Sequence, residues 1–307
     1  MKVAISGASG FIGSALVPAL ESERHEVVRL VRREPQGRGE IAWDPEAGSL
    51  DRAALAGVEA IVCLSGATLE RRWTDARKRE ILESRTGTTS LLARTAAALD
   101  PGPSALLCAS GVGAYGLRGD EILTEESERG SGFLADVVRE WEAAAEPARA
   151  AGVRVVNFRH GIVLGRGGGA LQQMLLPFKL GLGGRIGSGK QWWSWVHMDD
   201  LVAAYSFALR SDLVGAVNLV SPNPVTNEQL TRALGDALHR PTVLPAPTLA
   251  LKLRFGREMP EEMLLDGQRA LPARLLDAGF EFTAPTIDVA LERALAEGAG
   301  GSPAPSG

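Results

Sequence analysis

Three glycines near the start of the chain, Gly7, Gly10 and Gly13, follow a short apolar strand, Val3-Ala-Ile5, and lead into an amphipathic helix. The spacing is Gly-x-x-Gly-x-x-Gly, with Ser9, Phe11 and Ile12 completing the run. Such a turn suits a pyrophosphate. One glycine makes the tight exit from the strand, the next lets backbone amides approach the phosphates, the third lets helix and strand pack closely, and the helix N-terminus adds partial positive charge. A dinucleotide site that takes NAD places Asp or Glu about 20 residues further on, to accept from the ribose 2′-hydroxyl. Here the second strand, Glu26-Val-Val-Arg-Leu-Val-Arg-Arg33, ends on Arg32 and Arg33, with Glu34 next. A guanidinium fork matches a 2′-phosphate, so the residues predict NADP(H) as cofactor; the alternative is a solvated basic strand end with Glu34 as the ribose acceptor.

Further candidates stand at later strand ends. Ser110 and Tyr115 lie in Ser-Gly-Val-Gly-Ala-Tyr-Gly116, where the hydroxyl can bond a substrate carbonyl or close the loop, and the phenol can face the nicotinamide or wall its pocket. His160 follows Arg159 at another strand end and is a candidate to meet the nicotinamide from the other side; the alternative is a satisfied polar neighbour. His197, in Trp192-Trp-Ser-Trp-Val-His197, is of a type suited to acid–base work or, as the preferred reading, is a structural histidine holding the Trp-rich loop against a helix capped by Asp199 or Asp200; the three tryptophans can stack on a flat substrate or plug a core. Arg71, Arg72, Lys78 and Arg85 offer cations for an anionic ligand, or pairs with Glu80 and Glu83 on a solvated face.

These residues need a sheet whose strands end together. Apolar runs at Val3–Ile5, Val27–Val31, Ala60–Leu64, Ala105–Ala109, Val153–Phe158 and Val217–Val220 alternate with helical patterns near Phe11–Glu21, Asp75–Leu99, Gly132–Ala150 and Asp200–Leu209. Continuous apolarity marks strands covered on both faces, and the alternation predicts an α/β fold with a doubly wound parallel sheet. Pro18 is expected to kink or shorten the first helix. A glycine-rich stretch over 161–189 and short proline-separated helices after Pro222 predict a smaller, mostly helical lobe. Thr226-Asn-Glu-Gln229 reads as a capping box. The expected division is 1–160 with 199–221 as the NADP-binding Rossmann domain, 161–198 with 222–297 as a substrate-side lobe, and 298–307 as a disordered tail.

The chain has 307 residues, 33 basic and 37 acidic, with a net charge of −4. That balance carries no nucleic-acid footprint, no apolar run reaches a membrane span and no leader is evident, so a cytoplasmic protein without nucleic-acid or membrane partners is expected. Cys63 and Cys108 lie inside apolar strands as small hydrophobes, and the scattered histidines show no metal-ligand spacing, so no metal is expected.

With these residues assembled, the chain resembles the extended short-chain dehydrogenase/reductases, the NAD(P)-dependent epimerase/dehydratase superfamily. It is similar in particular to an atypical "epimerase family protein" branch that carries a C-terminal domain of unknown function. Ser6–Gly13, Trp43-Asp-Pro45, Leu64–Ala67, Arg72-Trp73, Ser84-Arg85, Ser110–Gly116, Trp141-Glu142, Gly187–Trp192, Ser194–Asp199 and Pro222 with Pro224–Asn227 carry the resemblance. It implies that Leu64, Ser65 and Gly66 line the path from adenosine to nicotinamide ribose, with Ser110 beside the nicotinamide. Arg85 joins the expected cofactor contacts.

Standard members use a Tyr and a Lys four residues later on the next helix. This chain has no Tyr-x-x-x-Lys: Leu134 or Ala135 stands for the Tyr, and Val138 or Arg139 for the Lys. The expected activity is that of an NADP-dependent oxidoreductase or epimerase-like enzyme acting on a small molecule through Ser110, with Tyr115 or water as proton donor. Against it stand a non-catalytic NADP(H)-binding redox regulator or scaffold and, less well supported, a nucleotide-sugar epimerase of ordinary mechanism. The resemblance also leaves room for a homodimer.

Overall fold

The alternation of strands and helices resolves as an eight-stranded sheet in the computed structural model, which describes residues 1–296. Its strands are β1 (Lys2–Ser6), β2 (Glu26–Val31), β3 (Glu40–Asp44), β4 (Ser49–Leu50), β5 (Ala60–Cys63), β6 (Ala105–Gly111), β7 (Arg154–His160) and β8 (Gly215–Leu219). Their order is β8-β7-β6-β5-β1-β2-β3-β4, with every pairing parallel except β3 with β4. The strand order reverses between β1 and β5. In open α/β sheets that is the crevice where ligands bind. The six apolar runs read from sequence are six of these strands; β3 was not anticipated, because Glu40-Ile-Ala-Trp-Asp44 alternates and lies towards the sheet's edge.

Helices α1 (Phe11–Ser22) and α6 (Met198–Arg210) cover one face of the sheet, packing on Val3, Ile5, Val62, Leu107 and Phe158. On the opposite face α2 (Asp75–Ala97) and α4 (Glu146–Ala150) pack on Ala4, Ile61, Cys63 and Leu106. Between them in the chain, α3 (Phe133–Ala143) covers the end of β6. Successive strand residues thus enter opposite cores, which explains why the strands read as continuous apolar runs. Two expectations need correction. Pro18 does not end α1, which continues to Ser22. The helical run over 132–150 divides at Ala144 and Ala145, which keep helix-like dihedrals; Pro147, at the start of α4, has no N–H to donate to the Ala143 carbonyl, and the hydrogen-bond ladder breaks there.

The remaining helices are α5 (Gly169–Lys179), α7 (Asn227–Leu238), α8 (Thr248–Phe255), α9 (Glu258–Met263), α10 (Ala273–Asp277) and α11 (Ile287–Ala296). Parts of α5, α7 and α11 enclose a second core around Trp193, Trp195, Leu230, Leu234 and Leu291. Thr226 caps α7 in a reciprocal capping box with Gln229, as its spacing predicts. Helix α10 and Phe280 return instead to the main sheet core beside Leu213 and Leu219. The tail expected over 298–307 lies outside the described residues.

Candidate functional site

The turn after β1 is built by backbone contact. Gly7 has φ +74° and its amide oxygen accepts from Gly10 N at 2.9 Å, closing the turn that opens α1. A β-carbon on Gly13 would stand 2.3 Å from the Gly7 oxygen, so helix and strand approach as closely as glycine allows. Gly13→Ala is therefore expected to destabilise the fold by roughly 2–3 kcal/mol or more, since backbone cannot yield as a flexible side chain does. Urea unfolding measures it; an unchanged midpoint would refute the packing argument.

No side chain caps the start of α1 and its first turn holds no acidic residue, so those amides remain available to an anion. Phe11 and Ile12 contribute through that backbone turn. Their side chains pack against the sheet core, and a β-carbon on Gly168 or Gly169 would collide with the Phe11 ring. Part of the glycine-rich run at 165–169 is thus explained by the ring it covers.

From this turn a cleft of about 1370 Å³ runs along the carboxyl ends of β2, β1 and β5. Gly7, Ser9, Gly10, Arg32, Arg33, Leu64, Ser65 and Gly66 line it, with Arg79, Glu83 and Ser84 of α2 on the far wall. The Arg33 fork is held by Glu40 of β3, Nη1 donating at 2.8 Å and Nη2 at 2.6 Å, while Arg32 is exposed with no carboxylate partner among the described residues. Ser84 Oγ accepts from Ala67 N at 3.0 Å and so fixes the loop after β5. This shape and these donors fit an extended dinucleotide with an additional phosphate at the β2 end.

Arg85 sits directly behind Gly66, whose β-carbon position lies 3.3 Å from the guanidinium carbon. It is only 8% exposed, lies 5.1 Å from the Trp141 ring centroid and donates to the Ile81 carbonyl at 3.0 Å, with no carboxylate partner among the described residues. Burial, with Arg77 nearby, lowers its pKa to about 10. The expected pairs with Glu80 and Glu83 are not those formed: Arg77 takes Glu80, and Lys78 reaches Glu258 of α9 at 2.7 Å. Arg71 and Arg72 remain exposed.

Ser110 and Tyr115 belong to a buried polar network behind the cleft. Ser110 Oγ donates to Glu142 Oε1 at 2.7 Å, and Arg159 grips the same carboxylate through Nε at 2.9 Å and Nη2 at 3.0 Å. Arg129 joins Glu142 from outside. Tyr115 is fully buried; its hydroxyl donates to Asn218 Oδ1 at 2.7 Å and accepts from Arg159 Nη1 at 3.0 Å. Burial raises the Tyr115 pKa. At Glu142 burial pushes upward too, but Arg159, Ser110 and Arg129 outweigh it and the carboxyl lies below its ordinary range. The structure therefore does not bring Tyr115 to the cleft: the phenol neither faces it nor walls it, and belongs to the buried network instead.

His160 is likewise placed elsewhere, with Nε2 3.1 Å from the Tyr205 hydroxyl; burial lowers its pKa to about 4, so the ring is neutral. Trp193 and Trp195 fill the second core, while His197 itself caps α6, Nδ1 accepting from Asp199 N at 3.2 Å. That corrects the expected Asp cap. Of the positions that stand for the absent Tyr and Lys, Leu134 closes on Gly113 and Val138 on Gly111, Ala135 is buried, and Arg139 is exposed and paired with Asp136. Beside them the space is only about 40 Å³, bounded on one side by Glu262, which accepts from Phe133 N and Leu134 N at 3.0 and 2.9 Å.

Sequence reasoning passed over Glu142, Arg159 and Asn218 as functional residues. Glu142 carried a signal: it continues the buried stripe of α3 through Ala135 and Val138, and a charge on a buried stripe needs a partner.

Fold and cleft define a dinucleotide-binding α/β protein. Residues 3–219 match the NAD dependent epimerase/dehydratase family, to which the chain belongs, and residues 246–294 match a domain of unknown function, DUF1731. An epimerase family protein of Mycobacterium tuberculosis is 46% identical over 291 residues, covering 94% of this chain and 96% of that protein. The human epimerase family protein SDR39U1, crystallised as isoform 2 with NADPH, superimposes with a TM-score of 0.87 at 37% identity, covering 96% of this chain and 99% of that one. A nucleoside-diphosphate sugar epimerase from Corynebacterium glutamicum gives a TM-score of 0.81 at 36% identity, over 96% of this chain and 58% of the other. No described helix is long and apolar enough to cross a membrane.

Proposed function

We propose that the protein binds NADP(H) in the cleft and acts as an oxidoreductase or epimerase-like enzyme on a small molecule. The observation that carries this reading is the pair Arg32 and Arg33 at the end of β2, in line with the glycine turn, with the neighbouring Glu40 engaged by Arg33. The NADPH in the human relative's crystal supports it.

The bound cofactor supplies or accepts a hydride. This chain's residues position it: the β1–α1 turn takes the pyrophosphate, Arg32 and Arg33 take the 2′-phosphate, Leu64–Gly66 form the floor and Arg85 backs the loop. Ser110 stands at the end of β6 with its proton committed to Glu142, so it meets a substrate as an acceptor. With Tyr115 buried, the proton exchanged with substrate comes from water.

One observation favours a second reading, an NADP(H)-responsive regulator without turnover. No Tyr or Lys stands at the usual places, Leu134 or Ala135 replacing the one and Val138 or Arg139 the other, and only about 40 Å³ is open beside Leu134 and Ala135. Thermal unfolding with NADPH, NADP, NADH and NAD tests the binding step common to both. Selective stabilisation by NADPH or NADP is the expected result, and no shift with any of the four overturns both readings. Consumption of NADPH by a panel of carbonyl compounds then separates them.

A further inference from the structure

One face of the second lobe carries apolar side chains that the fold does not use. Leu176 of α5 and Leu180 and Leu182 just beyond it are 63–66% exposed, and Leu244, Leu249 and Leu253 are 61–73% exposed. Helix α8 buries none of its residues, although half of it is leucine or phenylalanine.

The two segments that carry these leucines lie side by side. Ala246 N donates to the Arg185 carbonyl at 2.9 Å, Ile186 bridges Ala246, and Arg240 Nε donates to the Lys179 carbonyl at 3.0 Å. A β-carbon on Gly184 would strike the Leu244 carbonyl, so the chains are in backbone contact there.

Within the two stretches that carry the leucines charge is of one sign, while α9, packed on α8, brings Glu258, Glu261 and Glu262. Residues 176–190 contribute Lys179, Arg185 and Lys190, residues 239–257 contribute Arg240, Lys252, Arg254 and Arg257, and neither stretch contains Asp or Glu. Lys252 and Arg257 are answered by Glu261, whereas Lys179, Lys190, Arg240 and Arg254 have no carboxylate partner among the described residues. The whole chain has a net charge of −4, so this local excess runs against its composition.

An apolar surface of this extent invites a partner, and its charge selects among partners. A second copy would bring cations against cations. A surface that is both apolar and anionic matches it, and leucines set among Lys and Arg are the pattern of segments that lie in the headgroup layer of a bilayer. No spanning helix is required for that.

We propose that the face formed by the end of α5, the segment over 180–190 and α8 docks on anionic phospholipid bilayers. The leucines enter the headgroup boundary and the free cations meet lipid phosphates. Only peripheral attachment is implied, independent of what the cleft binds.

The test is flotation of the full-length protein with vesicles of phosphatidylcholine alone or of phosphatidylcholine mixed equally with phosphatidylglycerol. The wild type is expected to float with the mixed vesicles, to stay behind with the neutral ones, and to be released as salt rises. Because Leu249 and Leu253 are 70% and 73% exposed, Leu249→Glu with Leu253→Glu leaves the core intact, as an unchanged thermal midpoint checks, and is expected to weaken binding roughly tenfold or more. Lys179→Glu with Arg254→Glu is expected to do the same. Failure to float with anionic vesicles overturns the proposal, as does flotation that neither pair of substitutions alters. A concentration-dependent dimer abolished by the leucine substitutions, without vesicle binding, assigns the face to a second copy and overturns it equally.

Discussion

Substituting Arg32 and Arg33 together by alanine is expected to weaken NADPH binding by roughly a hundredfold while leaving NADH within about threefold, because charge-assisted bonds to a dianion contribute about 1.5–3 kcal/mol each. The two arginines do not start equal. Arg32 is exposed and unpaired by any carboxylate among the described residues, whereas Arg33 is already oriented by both oxygens of Glu40. Arg33→Ala removes a donor and also leaves the Glu40 carboxylate facing the arriving phosphate, so the single loss at Arg33 is expected to exceed that at Arg32. Titration of the four proteins with NADPH and NADH by fluorescence decides the matter. Equal losses for both dinucleotides would mean that the pair serves general electrostatics and that the 2′-phosphate is read elsewhere.

That prediction rests on the part of the molecule most legible in sequence. Strand, glycine turn, helix and a second strand ending on Arg-Arg are local in the chain, so each residue's neighbours are fixed by a few dihedral angles and one strand pairing. Long apolar runs carried the sheet for the same reason. Glu40 lay beyond reach because its strand is short and alternating, and only the register Arg29 with Glu40 reveals the pairing. The division of labour between Ser110 and Tyr115 was less legible still. Both stand where a strand-end hydroxyl and phenol are expected, but whether the phenol points into the cleft depends on Asn218, 103 residues away, and on Arg159, 44 residues away. Contacts at such separations leave no periodic trace. The exposed leucines of α8 show the converse: the sequence announces only short proline-separated helices after Pro222, and only the three-dimensional fold shows that Leu249 and Leu253 stay exposed.

Glu142→Ala is expected to cost about 3–5 kcal/mol, because removing one member of a buried ion pair leaves the other charge without compensation. The guanidinium of Arg159 is 3% exposed and spends two of its three hydrogen bonds on this carboxylate. Ser110 loses its acceptor in the same variant. A double substitution, Glu142→Ala with Arg159→Met, is expected to recover much of the loss, since an apolar replacement removes the stranded charge. The pH dependence has a definite sign. The Glu142 carboxyl is held below its ordinary value of 4.5 in the folded protein, so its contribution is fully present above that pH and is lost as pH falls through the lowered folded value. Urea unfolding of wild type and Glu142→Ala should therefore differ most at neutral pH and converge in acid; a gap that persists unchanged in acid would assign the cost to lost packing. The double variant also bears on function. If the network serves only to keep Ser110 as an acceptor at the end of β6, restoring stability without Glu142 should free the serine proton, and any turnover should change in its pH profile while NADPH affinity does not.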